Sequence, residues 1–104
     1  MGRAPIDVGN EPFAITVTPD GKTAYVASWQ GGTVTPIATA TNTAGTPIEV
    51  GEGARAIVLT ADGKTAYVVV WGEPGTVTPI ATATNTAGTP IQVGDGPYAI
   101  AITP

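Results

Sequence analysis

The sequence predicts an all-β fold: a β-propeller of four-stranded antiparallel blades, two blades to the chain, with one spare strand at each end. Three observations carry this expectation. The chain repeats itself with a period of 42 to 43 residues. Each period divides into four short segments rich in β-branched and aromatic residues. Fourteen glycines and ten prolines among 104 residues are too dense for helices, because proline removes a helical donor and glycine loses the most backbone entropy.

The repeat is near-literal. Pro19-Asp20-Gly21-Lys22-Thr23-Ala24-Tyr25-Val26 returns as Ala61-Asp62-Gly63-Lys64-Thr65-Ala66-Tyr67-Val68. Gly32-Thr33-Val34-Thr35-Pro36-Ile37 returns as Gly75-Thr76-Val77-Thr78-Pro79-Ile80, one residue further on. Residues 38–48 return unbroken as 81–91. The chain is therefore one domain of repeat units at about 6–47 and 48–90, closed by a partial repeat over 91–104. A period of this length holding four strands marks a propeller blade. A β-sandwich and an open solenoid are the alternatives, but a sandwich gives no reason for near-identical units.

Within the first period the expected strands are Phe13 to Thr18, Thr23 to Trp29, Thr33 to Thr39 and Gly45 to Val50. Asp20-Gly21 between the first two is a hairpin signal, since glycine takes positive φ without steric cost. The second period repeats these strands as Arg55 to Thr60, Thr65 to Trp71, Thr76 to Thr82 and Gly88 to Val93. Pro5 to Val8 is a spare fourth-type strand and Tyr98 to Thr103 a spare first-type strand. Pro36 and Pro79 fall inside the third strand, where a missing N–H is costly, and a bulge is expected at each.

The runs Thr18 to Val26, Gly32 to Ile37 and Thr39 to Gly45 resemble the YVTN-type β-propeller repeat, a family of bacterial proteins and archaeal surface-layer proteins. The resemblance covers nearly the whole chain. It implies blades and no particular chemistry. The tetrapeptide that names the family stands here as Tyr25-Val26-Ala27-Ser28 and Tyr67-Val68-Val69-Val70, so its asparagine is replaced by Ser28 and Val70.

Composition narrows the function classes. The chain has no His and no Cys, which removes imidazole-based catalytic pairs, disulfides and zinc sites of the usual ligands. Four Lys and Arg against eight Asp and Glu make a nucleic-acid partner unexpected. Met1-Gly2-Arg3-Ala4 runs into Pro5 without a leader's apolar stretch, and the longest apolar run, Ala66 to Trp71, is far below the ~20 residues of a spanning helix, so membrane insertion is not expected. No enzyme activity, cofactor or bound metal is expected.

Two blades cannot close a propeller. Each blade has two apolar faces that only neighbours can bury, so two blades leave two faces open. The expected partner is another copy of the chain, as a trimer of six blades or a tetramer of eight. In such a ring a spare terminal strand of one chain covers or enters a blade of its neighbour. A piece of a longer propeller is the alternative.

The fourth-to-first and second-to-third connections share one rim, where the repeats differ most. Trp29, Gln30 and Trp71 stand there among glycines and can stack on a glycan, peptide or cation, or can pack between blades. Glu11, Glu52, Glu73 and Asp95 bring carboxylates to the same rim, as hard-cation ligands or as solvated loop charges. Arg55 occupies the position of Phe13 and Tyr98 in the other copies and can clamp a carboxylate or pair with Glu52. Tyr25 and Tyr67 are expected to pack between blades. Ligand binding on this rim is the alternative to a purely structural, self-assembling role.

Overall fold

A computed structural model of the chain describes residues 12–72 and 75–94. The first sheet contains β1 (Pro12–Val17), β2 (Thr23–Ser28) and β3 (Thr33–Ala38), followed by two short strands, β4 (Thr43–Ala44) and β5 (Ile48–Glu49). The second contains β6 (Ala54–Leu59), β7 (Thr65–Val70) and β8 (Gly75–Ala81), then β9 (Thr86–Ala87) and β10 (Ile91–Gly94). In each sheet the first three strands are antiparallel neighbours, and the two short strands share the fourth position, both pairing the third. The two sheets are the two expected blades. The spare strands expected at Pro5 to Val8 and Tyr98 to Thr103 lie outside the described residues.

The hairpin joining the first two strands of each blade is closed by side chains. Thr18 Oγ1 donates to Asp20 Oδ1 at 2.6 Å, and the Lys22 N–H donates to the same oxygen at 2.9 Å. Thr60, Asp62 and Lys64 repeat the arrangement at the same distances. The threonine hydroxyl, then the lysine amide, hold each aspartate below the usual carboxylate range. Asp-Gly-Lys is thus turn chemistry in both blades.

The bulges are not at the prolines. Pro36 pairs Tyr25 and Pro79 pairs Tyr67 in unbroken register. What gives way is the fourth strand, which the sequence had continuous from Gly45 and from Gly88. The Pro36 carbonyl points at it and accepts the Gly45 N–H at 2.7 Å; Pro79 does the same for Gly88. In an extended strand a residue's N and O face the same neighbour, so the missing proline donor also faces the fourth position. That position is interrupted there, between β4 and β5 and between β9 and β10, so no ladder acceptor is left waiting. The rings themselves occupy the space: a Cβ on Gly45 or Gly88 would lie 3.3 or 3.2 Å from the proline Cγ.

The register shifts of the first strands fall instead between Pro12 and Ala14 and between Ala54 and Ala56. Phe13 and Arg55 are the extra residues, and a bulge re-aims such a side chain out of the strand's alternation.

The core lies between the blades. Tyr25, Ala27, Val34 and Ile48 of the first blade pack against Ala54, Ile57, Ala66, Val68, Val70 and Ile80 of the second. Burial of each large aliphatic side chain contributes about 1.5–3 kcal/mol. Alternation along each strand sends the intervening residues to the opposite face. On the first blade these include Ile15 and Val17, on the second Ile91 and Val93, and all four are exposed. The central strands of those same outer faces are covered: Ala24, Val26 and Ile37 form a second buried cluster on the first blade, and Val69 and Val77 are buried on the second, so each outer face exposes its apolar residues at the flanking first and fourth strands.

Candidate functional site

The two rims of the blade pair differ in chemistry. On the rim of the Asp-Gly turns a cavity of about 280 Å3 is lined by Thr18, Asp20, Thr23, Tyr25, Asp62 and Thr82. Its two carboxylates are already engaged by Thr18 and Thr60. Among the described residues no three acidic side chains gather into a metal-binding group.

The opposite rim is aromatic. Trp29 closes the turn after β2 and Trp71 follows β7, the same place in the next blade. Their ring centroids are 5.9 Å apart at an interplanar angle of 37°. Phe13, thrown outward by its bulge, meets Trp29 edge-on, with centroids at 5.2 Å and planes at 70°. The Arg55 guanidinium carbon lies 5.2 Å from the Phe13 ring centroid and 5.9 Å from that of Trp29. Each aromatic pair contributes about 0.5–1.5 kcal/mol beyond its burial, and each cation–π contact about 0.5–1 kcal/mol when exposed.

Backbone bonds hold this rim together. The Gly53 N–H donates to the Trp29 carbonyl at 3.0 Å, and the Gly53 carbonyl accepts from the Trp71 N–H at 2.8 Å. The Gly32 carbonyl accepts from Val50 at 2.8 Å and Gly51 at 3.1 Å. The two kinds of loop expected to share this rim are thus bonded to each other, and Gly53 ties the two tryptophan loops across the blade junction.

Of the residues the sequence singled out, the structure brings Trp29, Trp71 and Arg55 into one patch. Trp29 is half-buried, while Trp71 and Phe13 are exposed. The tryptophans therefore pack between blades and also present ring surface to solvent. Gln30 and Glu52 are exposed on neighbouring loops. Glu11, Glu73 and Asp95 lie outside the described residues. Phe13 and Gly53 are the additions made by the structure. The equivalence of Phe13 with Arg55 was a signal for the first; no pattern marked Gly53, because its role is a backbone bond to a residue distant in sequence.

No family model matches the chain, and no curated protein does either. Solved structures do. Over 94% of its length it superimposes on 28% of Kuenenia stuttgartiensis hydrazine synthase, with a TM-score of 0.81 and 26% identity. It matches the RRP9 WD40 repeats over 86% of its length with a TM-score of 0.74 and 10% identity. Apo AztD from Citrobacter koseri matches over 90% with a TM-score of 0.73 and 17% identity. The fold is that of propeller blades. The propeller segment spans about a quarter of the length of the structures it matches, 28%, 28% and 27% of those chains.

Proposed function

We propose that this propeller segment is a YVTN-type structural and interaction module, without catalysis, whose outer faces take up further blades of the same kind from other copies of the polypeptide until a ring closes. One observation carries the reading: the two outer faces are sequence copies of the two faces that already mate within the chain. Tyr25, Ala27, Val34 and Ile48 on the inner face of the first blade correspond to Tyr67, Val69, Val77 and Ile91 on the outer face of the second. Ile57, Leu59, Val68 and Ile80 on the inner face of the second correspond to Ile15, Val17, Val26 and Ile37 on the outer face of the first. A surface complementary to a different surface of its own kind assembles head to tail, and a constant rotation closes it into a ring. Light scattering on the folded 104-residue polypeptide is expected to give the mass of three or four chains. A folded species that keeps the mass of one chain even at high protein concentration overturns the reading.

The aromatic rim supports a second role beside the first, as a binding surface for a glycan. Trp71 and Phe13 offer flat, exposed apolar faces of the kind on which sugar rings stack, on loops held by a rigid scaffold. Calorimetric titration with neutral oligosaccharides is expected to show saturable binding that Trp71→Ala weakens about tenfold, the worth of one lost stacking contact. No saturable heat from any oligosaccharide removes this role.

A further inference from the structure

A side-chain hydrogen bond crosses the blade junction. The Tyr25 hydroxyl donates to Asn85 Oδ1 at 2.7 Å, linking residues 60 apart in sequence. The tyrosine ring is buried among the inner-face residues, and its tip reaches the turn between β8 and β9. Asn85 holds that turn in the left-handed region with φ of 54°, a conformation asparagine tolerates better than most residues.

Both partners recur in the other blade, but with no hydrogen-bonded mate among the described residues. Tyr67 is the copy of Tyr25. It pairs Pro79 on β8 as Tyr25 pairs Pro36 on β3, and it alternates with Ala66 and Val68, whose side chains face the first blade. Tyr67 therefore stands on the outer face of the second blade. Asn42 is the copy of Asn85, with the same φ of 54°, in the turn between β3 and β4. The direction of the existing bond is from the tyrosine of one blade to the asparagine of the blade that follows. Asn42 belongs to the first blade, so the tyrosine that precedes it in a ring is on another chain.

We propose that the Tyr67 hydroxyl of one copy donates to Asn42 Oδ1 of the next, and that this bond sets the register in which the outer faces of two chains meet. The inference rests on the ring reading above and adds the residues by which one copy recognises another. It has a direction: second blade to first blade. A two-fold dimer, which places identical faces together, does not satisfy it. Apolar faces alone are tolerant of sliding, whereas a hydroxyl and an amide taken out of water must meet each other or lose their bonds.

The test compares assembly of the wild type with Tyr67→Phe, Asn42→Gly and the double variant, by sedimentation or light scattering over a dilution series. Phenylalanine removes the hydroxyl and keeps the ring, and glycine removes the amide while accepting the positive φ. Each single substitution is expected to raise the concentration at which rings dissociate by about three- to tenfold per junction, the worth of one net hydrogen bond. The double variant is expected to match either single one, because both remove the same bond. Circular dichroism identical to wild type keeps a folding defect apart from an assembly defect. Unchanged dissociation in Tyr67→Phe, or additive effects in the double variant, overturns the clasp and leaves the ring standing. A wild type that never assembles overturns the ring and the clasp together.

Discussion

Alanine at Gly53 is expected to destabilise the fold by about 2–5 kcal/mol. Gly53 has φ of +99°, where an L side chain is strained at a cost of about 1–3 kcal/mol. Space is the second problem. A Cβ here would lie 2.6 Å from the Trp71 carbonyl oxygen and 3.4 Å from its nitrogen, both backbone atoms. Relieving that contact moves Gly53 away from the Trp29 and Trp71 loops and weakens its two bonds to them, each worth about 0.5–1.5 kcal/mol. Gly51 is the internal comparison. It has the same φ of +99°, but a Cβ there meets only Val70 Cγ1 at 3.9 Å. Gly51→Ala reports strain alone, so the excess loss in Gly53→Ala measures the clash. Urea denaturation followed by tryptophan fluorescence reads both, and equal losses at the two positions contradict the account.

Ile48 and Ile91 offer the second large effect. They are the same residue at the same repeat position, and each pairs with a valine of the third strand, Val34 or Val77. Their surroundings differ: Ile48 is 8% exposed and Ile91 is 51%. Ile48 faces the second blade, while Ile91 faces away from the first. Measured below the concentration at which chains associate, Ile48→Ala is expected to cost about 2–4 kcal/mol, from lost burial and the cavity left behind. Ile91→Ala is expected to stay within about 1 kcal/mol, because its methyl groups are already half in water. Chemical denaturation of the two variants checks this, and equal losses in dilute solution contradict it. Above the association concentration the Ile91 substitution gains in cost as the outer face is covered, so the gap between the two variants narrows.

Much of the blade plan was legible because each relevant signal is local. Strands one to three of each blade fall within a residue of their expected ends, since β-branched alternation and the Asp-Gly turn act over a few neighbours. The repeat places the Trp29 and Trp71 loops on one rim, and in the structure the two rings lie 5.9 Å apart with Arg55 against Trp29. Their mutual arrangement was not legible, because the bulge that turns Phe13 and Arg55 toward the tryptophans is created by register against β2 and β7. Pro36 and Pro79 teach the same point in reverse. Each was expected to distort its own strand, yet the interruption sits in the fourth strand, whose gap faces the missing donor. A proline's cost depends on which neighbour its nitrogen faces, and that is decided across the sheet.

The amino-acid order by itself determined the period, the four-strand blade, the hairpin turns and which loops share a rim, because propensity and turn chemistry operate between residues close along the chain. Tertiary structure alone decided that Gly53 bridges the tryptophan loops, that Tyr25 reaches Asn85, and that Ile48 is buried where Ile91 is open. Two copies of one repeat are chemically alike, and only a neighbouring blade's presence or absence makes their environments differ.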